Sequence, residues 1–283
     1  MATTFPASSF PSSLSPSRAS DFTTCPLLFR FRSIDRLPEE PSAAAVRGSL
    51  VHRALETLYD LPASERTMDA AMTLVDRAYA ELAESDPTAA ATMTPPGEDA
   101  PRVDAGPLLE GYFSMEDPTR LEPHARELGV SVDLVDGLEL RGFIDRVDRA
   151  PDGAVRIVDY KTGRSPGQGY EGKAMFQMRF YALTWWRLTQ EVPRLLQLMY
   201  LGNREVLKYT PDTDDLRSTE RKVLALRDAI SRAADAERFD PAPSKLCDWC
   251  SHKDLCPAWG GSPPPLPARD DWPTAIRTGN RDV

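Results

Sequence analysis

Lysine, histidine and cysteine are all scarce in this chain, with 6, 3 and 4 copies among 283 residues. So few cysteines exclude a disulfide-dense secreted scaffold, all the more because Cys25 lies more than two hundred residues from the other three. No apolar run approaches the roughly 20 residues of a membrane span. The N-terminus, MATTFPASSFPSS, lacks a basic stretch followed by an apolar one, so no secretory signal is expected. A cytoplasmic protein with no membrane partner is the expectation. The glycine-rich segment TGRSPGQGYEG lacks the Walker spacing, so no phosphate cradle of that type is present.

Net positive charge is also missing: the chain carries −9. That argues against a polyanionic partner, but the charge is uneven. Residues 60–140 hold 18 acidic and 5 basic side chains, a local net of −13, and the remainder is +4. Arginine outnumbers lysine 28 to 6, and guanidinium suits bidentate phosphate contacts; a genomic composition bias gives the same ratio. At 41% hydrophobic and 27% charged, the composition is that of a soluble protein with one large domain or two small ones.

What is present centres on LELRGFIDRVDRAPDGAVRIVDYKT, from Leu138 to Thr162. Two strand-like runs, Leu138–Arg149 and Ala154–Lys161, flank Pro151-Asp152-Gly153, the recipe for a three-residue hairpin loop. Pairing Ala150 with Ala154 sets Asp145 opposite Asp159, and Lys161 joins them on one face. Two facing carboxylates repel unless a cation lies between them. A hard divalent ion, Mg²⁺ or Mn²⁺, suits oxygen ligands, and a neighbouring ammonium can stabilise a developing oxyanion. A solvated hairpin with scattered charges fits the same letters.

Around this hairpin the periodicity predicts helices over 43–59, 64–84, 107–115, 173–188 and 216–236. It predicts a short strand in GVSVDLV and a strand pair over 195–201 and 205–209. Residues 1–13 read as disordered, 60–137 as a helical acidic insert with a loop over 85–106, 138–209 as the core, and 258–283 as a Pro-rich tail. His52 falls on the inward stripe of its helix, where a core histidine bonded to a carbonyl is the ordinary role. Gly48, one turn earlier, lets another backbone come close. Glu127 is either a surface charge or a third acid reaching the site. Gln177 and Tyr181 share a helix face. Phe176 and Trp185 are candidate base-stacking aromatics, with core packing the more ordinary role. In KLCDWCSHKDLCP, Cys247 and Cys250 form a C-x₂-C and Cys256 follows after five residues; with Cys25 they suit zinc or an iron–sulfur cluster equally. His252 reads as exposed.

Together these residues resemble the RecB-like nucleases of the PD-(D/E)XK superfamily, in the iron–sulfur branch that includes the AddB nuclease domain and the CRISPR adaptation nucleases. The likeness rests on His52 in RGSLVHRALE, on Gly142, Ile144, Asp145, Arg146 and Asp148 as G-x-I-D-R-x-D, and on Asp159 to Gly163 as D-Y-K-T-G. Gln177 and Tyr181 match Q-x-x-x-Y, and the four cysteines match the cluster pattern. The resemblance implies an α/β, restriction-endonuclease-like core, a mixed sheet flanked by helices, within one nuclease domain over 14–256. It implies a helical N-terminal part and a C-terminal iron–sulfur segment, 245–257 together with Cys25.

It further implies His52, Asp145, Asp159 and the Tyr160 carbonyl as metal ligands, and Lys161 as the group that orients the attacking water. Glu127 would stand in an outer shell, and Gln177 and Tyr181 would position the strand or the lysine. Cys25, Cys247, Cys250 and Cys256 would hold a 4Fe–4S cluster. The expected activity is a Mg²⁺- or Mn²⁺-dependent exonuclease on single-stranded DNA or frayed ends, in DNA repair or recombination. With no Walker motif here, duplex unwinding would fall to a separate helicase. A non-catalytic iron–sulfur DNA-binding or adaptor module is the rival, and a redox protein built on the cluster a second one.

Overall fold

Gly153 takes a left-handed φ of 87° after Pro151 and Asp152, so the chain reverses in three residues. The Ala150 N–H donates to the Ala154 carbonyl at 2.9 Å. Arg149 then pairs with Val155, Asp148 with Arg156, Val147 with Ile157 and Arg146 with Val158, the register that the loop length predicts. The structure, a computed structural model, describes residues 10–273 except 96, 99, 135, 136 and 168–171.

In chain order the elements are β1 (Ser13–Leu14), α1 (Pro16–Thr24), α2 (Pro26–Phe29), α3 (Ala43–Leu58), α4 (Met68–Ser85), α5 (Pro87–Ala91) and α6 (Gly106–Met115). They continue with β2 (Ala125–Asp133), β3 (Glu139–Arg149), β4 (Val155–Lys161), α7 (Gly172–Thr189), β5 (Leu195–Tyr200), β6 (Glu205–Tyr209) and α8 (Thr213–Asp235). The strands form one mixed sheet in the order β1-β3-β4-β5-β6, with β2 also paired to β3. β1 runs parallel to β3 and β4 parallel to β5, and α7 supplies the crossover that the second pair requires. This is a mixed α/β fold of the restriction-endonuclease-like kind.

Alternation along the strands gives the sheet two apolar faces. On one, Val147, Val155, Ile157, Leu196 and Leu198 pack with Ala19 of α1, Phe180 of α7 and Val223 of α8. On the other, Val158, Tyr160 and Met199 pack with Val51 of α3, Val75 of α4 and Leu109 of α6. Each fully buried Val or Leu contributes about 1.5–3 kcal/mol.

Four expectations need correction. Residues 60–137 are not an insert. α4, α5 and α6 form the layer over the second sheet face, because the stripe along α4 and the apolar residues of α6 have a sheet to cover. β2 also lies in this span and pairs with β3 from Ala125 onward, four residues earlier than the predicted strand, whose Val135 lies outside the described residues. The expected loop over 85–106 contains α5, capped by the Asp86 carboxylate, which accepts the Ala89 N–H at 3.0 Å; Ala89, Ala90 and Met93 are buried there.

The ends are ordered further than composition suggests. Phe10 and Leu14 are buried, and β1 closes against β3. The Phe10 ring meets Trp272 edge-on at 4.9 Å, and Trp272 meets Phe239 at 6.4 Å. The Trp272 Nε1–H donates to the Pro267 carbonyl at 2.9 Å. A few large aromatics thus fix both ends. Residues 1–9 and 274–283 of the expected disordered end and tail lie outside the described residues. Finally, His252 is buried rather than exposed. Its Nε2 lies 2.9 Å from Glu39 Oε1, and its ring meets Phe31 edge-on at 5.3 Å.

Candidate active site

The β3–β4 pairing ends at Arg146 and Val158; one step further would join Asp145 to Asp159. There the Tyr160 N–H donates to the Asp145 side chain, Oδ2, at 2.7 Å. β2 and β3 also change the parity of their inward residues at this level. Ala125 and then Leu128, Val147 and then Ile144, face the same core, a break in the strict alternation of a strand. Glu127, at the break, has a φ of 41°, a conformation that non-glycine residues adopt at a cost of order 1–3 kcal/mol. The irregular backbone turns side chains into a cleft that regular strands would have kept apart.

α3 delivers His52. Gly48, one turn earlier, lets this helix close on the end of β4: a Cβ there would lie 3.0 Å from Thr162 Oγ1. His52 Nδ1 is 3.4 Å from Asp145 Oδ2, and the ring stands edge-on to Tyr160 at 6.0 Å. Among the described residues, His52, Glu127 and Asp145 form the group of three donors whose ligand atoms lie within 4.8 Å of one another. Behind them, Asp159 Oδ1 accepts from Gln177 Nε2 at 3.0 Å, and the other face of that amide, Oε1, accepts from Lys161 Nζ at 2.8 Å. Gln177 Nε2 also lies 3.3 Å from the Tyr181 hydroxyl. Asp159 Oδ2 is 2.7 Å from Lys161 Nζ, yet it is buried without an aligned hydrogen bond.

The electrostatics of this cluster call for a cation. Burial, and then the charge of Asp159, push the Asp145 carboxyl up to about 8. Glu127 is raised by burial and by Glu56 and Asp159. His52 is lowered, chiefly by burial, which leaves a neutral imidazole free to ligate. Burial pushes the Tyr181 phenol up to about 12, so it stays a hydroxyl. The carboxylate oxygens and one imidazole fit a divalent metal ion. The cleft beside them has room for about 670 Å³ and is also lined by Arg53, Phe143 and Thr162.

The structure therefore brings together His52, Glu127, Asp145, Asp159, Lys161, Gln177 and Tyr181, with the Tyr160 backbone between them. Phe176 and Trp185, the aromatics singled out in the sequence, pack on or in the core instead. Two features escaped sequence reading. One is Phe143, exposed two residues before Asp145. The other lies beneath the site. Arg146 is 1% exposed and donates to the Tyr160 hydroxyl at 2.6 Å, the Tyr59 hydroxyl at 2.9 Å and Glu116 Oε2 at 2.7 Å. Arg156 completes this set by pairing with Glu116 at 3.0 Å and Asp148 at 2.8 Å. The signal was the charge pair Arg146–Asp148, two residues apart and so on one face of β3.

The four cysteines line a second cavity, of about 300 Å³, together with Phe31 and His252. The Cys25 sulfur accepts the Ala242 N–H and the Cys247 sulfur the Ser244 N–H, each at 3.3 Å.

Comparison with known proteins gives the chain a family. Residues 13–257 match the PD-(D/E)XK nuclease superfamily, whose members use divalent metals. The chain is 26% identical over 288 aligned positions to the gene 69 protein of Mycobacterium phage D29, covering 87% of this chain and 96% of that one. It is 31% identical over 139 positions to the gene 69 protein of Mycobacterium phage L5, covering 48% and 45%. The crystal structure of a candidate exonuclease from Eubacterium rectale superposes with a TM-score of 0.55 at 15% identity, covering 86% of this chain and 88% of that one, a likeness of fold. Among the described residues, no helix is long and apolar enough to cross a membrane.

Proposed function

This chain belongs to the PD-(D/E)XK nuclease superfamily, and from that premise we propose that it is a Mg²⁺- or Mn²⁺-dependent DNA exonuclease. Its substrate is single-stranded DNA or a frayed end, in repair or recombination, with any duplex opened by a separate helicase. The observation that carries the reading is the convergence of His52, Glu127 and Asp145 beside the Asp159–Lys161–Gln177 set.

In this reading His52, Asp145, Asp159 and the Tyr160 carbonyl hold the metal, and Glu127 stands beside them as a further carboxylate. A bound divalent ion lowers the pKa of a water and offsets phosphate charge. Lys161 sets an ammonium where charge develops on the phosphate and orients the attacking water. Gln177 fixes Lys161 and Asp159 relative to each other through the two ends of one amide, and Tyr181 steadies that amide. On end-labelled single-stranded DNA with Mn²⁺, Asp159→Asn is expected to cut the rate by at least about 10²–10³, the usual loss when one such electrostatic group is removed. Product length then separates stepwise removal of nucleotides from internal cuts. An Asp159→Asn protein as active as wild type would overturn the assignment.

For the cysteine cavity we propose a 4Fe–4S cluster. What supports this is the gathering of Cys25, Cys247, Cys250 and Cys256 around one cavity of about 300 Å³, a four-thiolate set of the kind that holds such a cluster. Anaerobically purified protein should be brown, with broad thiolate–iron absorbance and about four irons per chain; stoichiometric zinc in colourless protein would refute the cluster.

A further inference from the structure

Phe143 is 63% exposed, and among the described residues it is the large exposed hydrophobic that lines the active-site cleft. Its place is fixed from below. Gly129 is its partner across the β2–β3 ladder, and a Cβ at that glycine would lie 3.4 Å from Phe143 Cε1. An aromatic seated over a glycine in this way shields the backbone, but that role does not need the rest of the ring left in water at the mouth of a cleft.

We propose that Phe143 is a base-stacking platform, on which one nucleobase of a single strand lies next to the phosphate held at the Asp145–Asp159 site. Three observations converge. Phe143 and Asp145 are two residues apart on β3, about 7 Å along the strand, and both line the cleft with His52 and Glu127. The ring is supported by backbone rather than by a mobile side chain, so stacking on it orders little that is not ordered already. Two residues further along the same face stands Arg141; burial, and then the charges of Arg141 and Arg36, push Arg18 down to about 10. Asp145, Phe143 and Arg141 thus set a carboxylate, an aromatic and an arginine in turn along a single strand, in the order that phosphate, base and next phosphate require. A duplex keeps its base faces inside its own stack, whereas a single strand can give one up. The platform thus selects single-stranded DNA at the step of binding. This inference rests on the reading of the cleft as a nuclease site.

The test compares wild type with Phe143→Ala, Phe143→Trp and Phe143→Leu, as full-length proteins whose folding is verified by their melting temperatures. The substrates are Mn²⁺ reactions on a labelled single-stranded oligonucleotide and on the same oligonucleotides with one abasic position moved stepwise from the end. Phe143→Ala and Phe143→Leu are expected to weaken kcat/KM on the intact strand about 5- to 150-fold, the range of one lost base stack, mainly through KM. Phe143→Trp should retain wild-type values. At one position the abasic substitution should cost wild type the same factor and cost Phe143→Ala nothing further. Full activity of Phe143→Leu would assign the ring a packing role and overturn the proposal, as would additive losses at every abasic position. Wild-type protein that hydrolyses no DNA would instead overturn the nuclease reading beneath it.

Discussion

Asp145 controls the protonation of the site. Its carboxyl is desolvated and faces the charge of Asp159, and without a cation it is held up to about 8. From the ordinary carboxylate value near 3.8 up to about 8, the folded protein therefore binds a proton at this position that the unfolded chain has lost. Stability from this group is full below pH 4 and declines as pH rises towards 8. A divalent ion that takes the carboxylate must displace this proton, so its binding strengthens over the same interval. The rise in melting temperature on adding Mn²⁺ is thus expected to be larger at pH 8 than at pH 6, and Asp145→Asn should flatten that difference. Thermal shifts measured at the two pH values check this directly; an equal rise at both would show that Asp145 is not among the ligands.

At the scale of elements, the site depends on a strand pair that abandons regular geometry in one place and on a charged layer that holds it there. Arg146 and Arg156 face Glu116 and Asp148 on the sheet side of α6, with Tyr59 and Tyr160 capping the same guanidinium. Two cations and two anions balance. Removing one leaves buried charge uncompensated, and Glu116→Ala is expected to cost about 3–5 kcal/mol in chemical denaturation. A change within about 1 kcal/mol would show that Arg146 finds other partners. The regular parts of these elements were legible in the sequence. A proline-aspartate-glycine turn dictates its own register, and the apolar stripes of α3, α4, α7 and α8 repeat at helical spacing. The break at Glu127 and Asp145 was not legible, because alternation is a rule about regular strands and carries no mark where it stops. Phe143 was missed for a related reason: its letters fit a buried strand position as well as an exposed one. Arg146 was matched as part of a motif, but its burial depends on Glu116 and Tyr59, which come from distant helices.

At the scale of the molecule, the chain's two ends meet. Cys25 joins Cys247, Cys250 and Cys256 around one cavity, and Phe10, Phe239 and Trp272 form one aromatic group. Composition alone read these ends as loose, since serine and proline dominate them and three aromatics hardly alter a percentage. The acidic excess of residues 60–140 resides largely in α4–α6 and their connections, on the outer side of the second core, so the net charge of −9 describes that layer better than it describes the cleft. What the cleft does is a matter of its carboxylates. The most direct test is digestion of end-labelled single-stranded DNA with Mn²⁺ by wild type and by Asp145→Ala, with strand binding measured in parallel. The account predicts progressive shortening by wild type, no shortening by Asp145→Ala, and binding by both. Equal shortening by the two proteins would contradict it.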